Sequence, residues 1–358
     1  VVKGCPHHIL EPQRTNLVTY SEDFSQSYWT KGGATISSTG ISPNGSIASL
    51  LTEDITTGEH RIYHNNISVT SGVSYTNTFY IKSNGRSRIR LSYYGFNNYE
   101  PKFDFVNNQL ISSTGGNTPT ISSKNVGNDW YRVTVTDVTN QTQLRGIISL
   151  MKDDNSFIYS GDGTSGVYIY GAMLEQGSYP TSYIPNYGTG SGVTRSAETA
   201  TGSGDASTFN DSEGVLMAEI SALDNEGGKW IALSNGTTNE RLSIAFQGND
   251  IRLYIRNTSG LIWDYTYTSA NIFNYNKIAL KYKSGDYALW INGVEVATDS
   301  NSNSPSGLNS LQFDSGSGGS NFYGNTKQLQ YFDTTLNDNE LETLTSWVSF
   351  QDMAEAQL

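Results

Sequence analysis

Two stretches of the chain carry side chains whose types and spacing suit the recognition of a sugar. In residues 88–94, strand alternation puts Ile89, Leu91 and Tyr93 on one face and Arg88, Arg90, Ser92 and Tyr94 on the other. In residues 130–136, Tyr131, Val133 and Val135 share an apolar face, leaving Trp130, Arg132 and Thr134 opposite. Tyr80 and Lys82 fall on the polar side of residues 75–82. If these strands share one sheet, its outward face gathers Tyr80, Arg88, Arg90, Tyr94, Trp130 and Arg132. Aromatic rings stack on the apolar faces of pyranoses, and guanidinium forks hold carboxylate or sulfate through paired hydrogen bonds. Such a face would take a glycan, including an acidic one. The competing reading is a solvated sheet face with Trp130 tucked under a loop.

Other residues invite weaker readings. Phe96, with Tyr93 and Tyr99, lies in the loop SYYGFNNYEP, and loops on rigid scaffolds commonly carry recognition. Tyr28 and Trp29 read as anchors of a first strand in the core rather than as a second platform. Asp153, Asp154 and Asp162 could supply oxygens to a structural calcium ion, although acids in such turns ordinarily remain solvated. Trp263, Tyr265 and Tyr267 alternate as a core-facing stripe, while Arg252 and Arg256 read as charges that solubilise a strand edge. Cys5 is the only cysteine, which excludes an intramolecular disulfide. The spacing of Cys5, His7 and His8 matches no tetrahedral zinc motif.

Catalysis is not expected. Glycoside hydrolysis needs two carboxylates at a fixed separation. The nearest local run, residues 219–226, lacks the alternation that would present them from one strand face. The four histidines stand at positions 7, 8, 60 and 64, and His60 and His64 flank a strand as surface residues would. No Ser-His-Asp order, phosphate loop or zinc motif is present.

The elements that must position these residues are strands. Strand signals recur every eight to twelve residues between clusters of Gly, Asn, Ser and Asp, as in β-sandwiches. They fall near 48–53, 61–69, 75–82, 88–94, 101–105, 130–138, 144–152 and 166–174. A second set covers 214–222, 229–234, 241–246, 250–257, 261–267, 277–283, 287–291 and 328–332. Asn292-Gly293 predicts a type I′ hairpin turn. One helix is expected near Asn337, capped by Asn337 or Asp338, with Leu341, Leu344 and Trp347 on one face. At 358 residues the chain has room for two domains. The reading is all-β: an N-terminal extension at 1–9, a jelly-roll sandwich at 10–186, a small-polar linker at 187–207, a second jelly roll at 208–348 and a tail at 349–358.

Composition narrows the partners. The net charge of −12 is uneven: residues 1–190 hold 13 Lys+Arg against 14 Asp+Glu, residues 191–358 hold 9 against 20. An acidic second half argues against nucleic acid. No apolar run approaches the roughly 20 residues that span a bilayer, so no membrane insertion is expected. The chain begins at Val1, as a processed or trimmed fragment would.

Several motifs carry a family resemblance. LEPQRTN (10–16), YWTK (28–31), DWYR (129–132) and SGDGTSGVYIYGAMLEQGSYPTSYIP (160–185) resemble carbohydrate-binding modules of families four and nine, in the version found in bacteriophage tail and fibre proteins. The likeness covers nearly all of residues 10–197. Glu213-Gly214, YALWING (287–293) and LQYFDTTLNDNELETLTS (329–346) resemble concanavalin A-like, laminin-G-type jelly rolls over about residues 208–348. Together they imply a non-catalytic virion appendage module, on a tail or head fibre, that binds bacterial surface or extracellular polysaccharide for host adhesion. They imply other virion proteins as partners and a homotrimer, as fibre proteins commonly form. The alternatives are a structural spacer that binds no glycan, or a fragment of a polysaccharide depolymerase. Related modules also hold a calcium ion between the opening segment, here Glu22 and Asp23, and an Asp of the last strand. That strand reads YIYGA (168–172) here, without a carboxylate.

Overall fold

A computed structural model describes residues 8–117 and 119–348, so Cys5, His7 and the tail at 349–358 lie outside the described residues. The chain forms two compact units. The first spans Gln13–Ser196, and the second is built from the described residues 8–12 and 197–348. Both are antiparallel β-structures, and the fold is all-β with one short helix.

The boundaries differ from the sequence reading. The strand His8–Leu10, expected in a free extension, pairs with the end of Gly324–Phe332 in the second unit. Leu10 is buried in that unit's core. Just beyond the strand, Glu198 N donates to Glu11 O (2.9 Å) and Glu11 N donates to Glu198 Oε2 (2.8 Å). The first unit is therefore an excursion between the first strand of the second unit and the rest of it. Residues 187–207 are not a free linker either. Val193–Arg195 pairs with Arg14–Asn16, and Ser203 bridges Leu311. Backbone pairing needs no apolar side chain, which is why composition conceals it.

In the first unit one sheet runs, in spatial order, Gln109–Ser112, Lys102–Asp104, Arg88–Tyr94, Gln143–Met151, Arg61–His64 and Trp29–Gly32, with Ile67–Ser68 beside Gln143–Met151. The other runs Thr120–Gly127, Trp130–Val138, Ser74–Asn84, Gly166–Gln176, Ile47–Glu53 and Ala34–Ile41. Alternating apolar residues point inward from both: Ile89, Leu91 and Tyr93 from the first, Phe79, Ile81, Val133 and Ile169 from the second, in one core. Trp29 anchors the edge strand, 5% exposed, with its Nε1 donating to Tyr20 O (3.0 Å).

The second unit packs the sheet His8–Leu10, Gly324–Phe332, Glu213–Ala222, Asn276–Lys283, Tyr287–Ile291 and Val294–Asp299 against Gly260–Tyr267, Asp250–Asn257, Arg241–Gln247, Gly228–Ser234 and Ser310–Gln312. Trp263 is in its core, with Tyr265 and Tyr267 packed against it. Asn292 and Gly293 both adopt positive φ (52° and 85°), as a type I′ turn requires. The helix Asp338–Thr345 starts at Asn337 with a capping box to Glu340. Its Leu341 packs on Val215, Met217, Ala279 and Trp290. No helix of the described residues is long and apolar enough to cross a membrane.

Candidate functional site

The structure separates the six residues that alternation groups on one face. Ser74–Asn84 and Arg88–Tyr94 are joined by residues 85–87 alone, yet they belong to different sheets. Arg88, Arg90 and Tyr94 lie on the outer side of the seven-stranded sheet. Tyr80, Trp130 and Arg132 lie on the outer side of the six-stranded sheet. Phe96 is in neither place: with Tyr93 and Tyr99 it is no more than 2% exposed and belongs to the core. Left-handed Asn97 and Asn98 turn that loop back, and Tyr93 bridges Tyr99.

On the seven-stranded face the arginines already have anionic partners. Arg90 reaches Glu59 Oε1 (2.7 Å) and Glu100 Oε1 (2.8 Å), and its guanidinium stands 4.5 Å from the Phe157 ring centroid. Arg88 Nε faces Asp104 Oδ2 (3.3 Å), and Arg88 Nη1 donates to Asp153 O. Asp104 is held below the usual carboxylate range: burial raises it, but bonds from Asn107 and Arg88 prevail. Tyr94 remains 42% exposed. This face is a closed lattice of charge pairs, poorly suited to a carboxylate arriving from outside.

The six-stranded face is different. Trp130, Tyr80, Tyr168, Tyr170 and Tyr183 cluster there around Ala48. Trp130 and Tyr168 lie 6.5 Å apart, Tyr170 and Tyr183 5.8 Å, Tyr80 and Tyr170 6.1 Å. The tip of the Ala34–Ile41/Ile47–Glu53 hairpin folds over this face. Ile41 O accepts from Trp130 Nε1 (3.1 Å), and Asn44 Nδ2 donates to Tyr170 OH (2.7 Å), which donates to Glu22 Oε1 (2.8 Å). Trp130 itself is only 2% exposed, so the loop-covered reading describes most of its surface. Arg132 donates to Thr181 O (2.6 Å) and lies over Tyr80 (5.8 Å).

Between hairpin and sheet opens a cleft of about 410 Å³, lined by Gly40, Ile41, Ser42, Lys82, Asn128, Trp130 and Tyr168. Lys82 Nζ donates to Asn128 O (2.9 Å), which leaves two further protons for other acceptors. Gly40 (φ 94°) permits the close approach of hairpin to ring: a Cβ there would sit 2.7 Å from Tyr168 Cε1. A second cleft, of about 390 Å³, lies beside Glu22, Asp23, Ile47 and the exposed Tyr187. Sequence reasoning missed Tyr168 and Tyr170, although their alternation with Val167 and Ile169 is the signal that places them outward.

The remaining candidates are structural. Asp154 Oδ1 accepts from Ser156 N (2.8 Å), and Asp162 Oδ1 accepts from Thr164 N and Ser165 N (both 2.7 Å). These bonds hold both carboxyls below their usual range, Ser156 acting on Asp154 and Ser165 with Thr164 on Asp162. Asp153 is engaged through its carbonyl. The three do not form a calcium cage, and among the described residues no group of three His, Cys, Asp or Glu is arranged to hold a metal. His60 and His64 are buried, not surface residues. Gly146 N donates to His64 Nε2 (3.1 Å) and His64 Nδ1 faces Asn65 O (2.7 Å), which places the proton on Nδ1. Burial pushes the His64 pKa down to about 4. In the second unit Glu219 faces Lys327 (3.4 Å) and Asp224 faces Lys229 (2.5 Å).

The opening and closing motifs meet through Asn16. Its Nδ2 donates to Ala172 O (3.2 Å) and Ile184 O (2.7 Å), while its Oδ1 accepts from Val18 N (3.0 Å) and Leu174 N (3.2 Å). Asn16 is fully buried with its hydrogen-bonding capacity filled. Through Asn16 these motifs tie the two ends of the sandwich together.

No family model matches the sequence, and no curated protein matches it. Among solved structures the chain is similar to the Ruminococcus gnavus IT-sialidase CBM40 bound to alpha2,3 sialyllactose, at 20% identity and TM-score 0.34, over 42% of this chain and 97% of that one. It is also similar to domains LG4-5 of the mouse laminin alpha1 chain, at 11% identity and TM-score 0.29, over 77% and 86%. Neither likeness is close enough to assign a ligand, and the chemistry of the site rests on its own side chains.

Proposed function

We propose that the first unit is a non-catalytic saccharide-binding module whose ligand enters the cleft beside Trp130, Tyr168, Lys82 and Asn128. The observation that carries this reading is the lining of that cleft: two aromatic side chains, an amide and, as its one charged group, an amine with free donors. Its volume of about 410 Å³ suits a small ligand. An aromatic edge and ring offer apolar contact to a pyranose, and Lys82 favours one that carries a carboxylate. The resemblance of the framing motifs to phage tail and fibre modules supports a bacterial surface polysaccharide as ligand, a place on the virion, and assembly with other virion proteins, as a homotrimer. The carboxylates nearest to a catalytic arrangement, Glu219 and Asp224, are engaged in ion pairs, which supports binding without cleavage.

Titration of acidic and neutral oligosaccharides into the protein, followed by binding to intact host cells, tests the reading. Tyr168→Ala and Lys82→Gln should each weaken binding about tenfold, the loss expected of one stacked ring or one charge-assisted bond. Binding unchanged in both variants would overturn it, and so would release of reducing ends on incubation with the polysaccharide.

A further inference from the structure

The outer face of the five-stranded sheet in the second unit holds an arrangement that folding alone does not explain. Alternation sends Leu242, Ile244, Leu253 and Ile255 into the core and leaves Arg241, Arg252, Tyr254 and Arg256 outside, joined by Trp230 of the next strand. Ser243 and Ala245 are small and buried on that outer side, so the long side chains of neighbouring strands lie across them. The Arg241 guanidinium stands 5.0 Å from the Trp230 ring and 4.9 Å from that of Tyr254. Arg252 stands 5.7 and 5.1 Å from the same two rings. Two cations thus bracket one aromatic pair, whose rings are edge-on at 6.0 Å.

The charges on this face are not balanced. Arg252 has a two-pronged partner in Asp264 (2.8 and 2.6 Å). Arg241 and Arg256 have no carboxylate within ion-pair distance among the described residues, and the Nε of each is buried without a hydrogen-bond partner. The two are directly opposite each other in the antiparallel register. Like charges facing across strands are destabilising. Burial first, then the neighbouring Arg256 and Arg252, push the Arg241 pKa down. These cations stand in the half of the chain that holds 9 basic against 20 acidic residues, yet Asp264 is the one carboxylate paired with an arginine of this face among the described residues, and it pairs Arg252. Nor is this a strand edge: Asp250–Asn257 is paired on both sides.

We infer that the face formed by Trp230, Tyr254, Arg241 and Arg256 is a second saccharide site, which takes a carboxylate-bearing polysaccharide. Arg241 Nη1 already donates to Ser315 O, which leaves its Nη2 together with Arg256 as the unneutralised donors for carboxylates, and Tyr254 supplies apolar surface for the sugar beside them. Charge complementarity selects this occupant: an anion removes the repulsion of the facing arginines, which a neutral glycan would leave in place. The site lies in a different unit from the cleft at Lys82 and does not depend on it.

Calorimetric titration of the full chain with an oligogalacturonate tests this, with the fully methyl-esterified oligomer as the uncharged control. Arg256→Gln should remove one binding event and leave the event removed by Lys82→Gln. If the first cleft binds nothing, the wild-type protein shows a single event that Arg256→Gln abolishes, so the two readings fail separately. Binding should weaken as salt is raised. Arg256→Glu, which gives Arg241 a partner, should abolish the event while raising the Tm of the unliganded protein. Equal binding of the esterified oligomer, an unchanged titration of Arg256→Gln, or a lowered Tm in Arg256→Glu would each overturn the inference.

Discussion

The two outer faces of the first unit are made from the same kinds of residue, arginine and aromatic, at the same period of two. On the seven-stranded face every candidate arginine is matched: Arg90 by Glu59 and Glu100, Arg88 by Asp104. On the six-stranded face the cation Lys82 borders an open cleft with no carboxylate in its lining. The first arrangement contributes to holding strands together; the second leaves donors free for something else. A charged strand face is therefore neither a site nor a solubilising edge until the facing strand is known.

This contrast can be pressed from both sides. The extreme of the closed kind is Glu53, which accepts from Arg86 Nε (2.9 Å), Arg86 Nη2 (2.6 Å), Tyr159 OH (2.7 Å) and Asp162 N (2.9 Å). Burial raises its pKa, and these bonds more than reverse that. Glu53→Gln leaves Arg86 only the more distant Asp162 (3.5 Å) as a charged partner and should cost about 3 kcal/mol in urea unfolding, while saccharide binding by the folded fraction is retained. On the open face, Gly40→Ala should cost about 1–3 kcal/mol by forcing the hairpin from Tyr168, and it should also weaken saccharide binding. Arg90→Gln should lower stability by about 1 kcal/mol or less, because its pairs are partly solvated, and leave saccharide affinity as it was. A loss of affinity in Arg90→Gln would reverse the assignment of the two faces.

The core between the faces supplies a pH test. The unfolded chain protonates His64 at about 6.5 and the folded one only near about 4. The unfolded state thus binds more protons in that interval, so stability is full above about pH 6.5 and falls as pH drops towards 4. The slope of unfolding free energy against pH should flatten between about pH 6.5 and 4 in His64→Gln.

Much of the fold was legible because alternation is local. Arg88–Tyr94, Trp130–Val138, Asp250–Asn257 and Tyr287–Ile291 have the expected bounds, and Asn337 caps the expected helix. Ala34–Ile41 and Thr120–Gly127 were missed because their Ser, Thr and Gly content reads as loop, although they are edge strands with one exposed face. The site was less legible. Which strands share a sheet depends on contacts far apart in sequence, and a connection as short as residues 85–87 favours a hairpin reading that the chain does not follow. Lys82 and Trp130 do share a face, but the hairpin that turns it into a cleft comes from residues 34–53, whose pairing with Gly166–Gln176 no local pattern announces.

The nested order of the two units has a consequence for inheritance. Arg14–Asn16 and Val193–Arg195 lie side by side, so the chain enters and leaves the first unit through paired neighbours. Glu11 and Glu198 are likewise bonded to each other on the second unit. Joining Pro12 to Ala197 would thus close the second unit over a short gap with its edge strand intact, whereas a cut at Ala197 alone would remove that strand. The first unit is in effect a cassette: an exchange at these two seams leaves the host sheet and its edge strand unbroken.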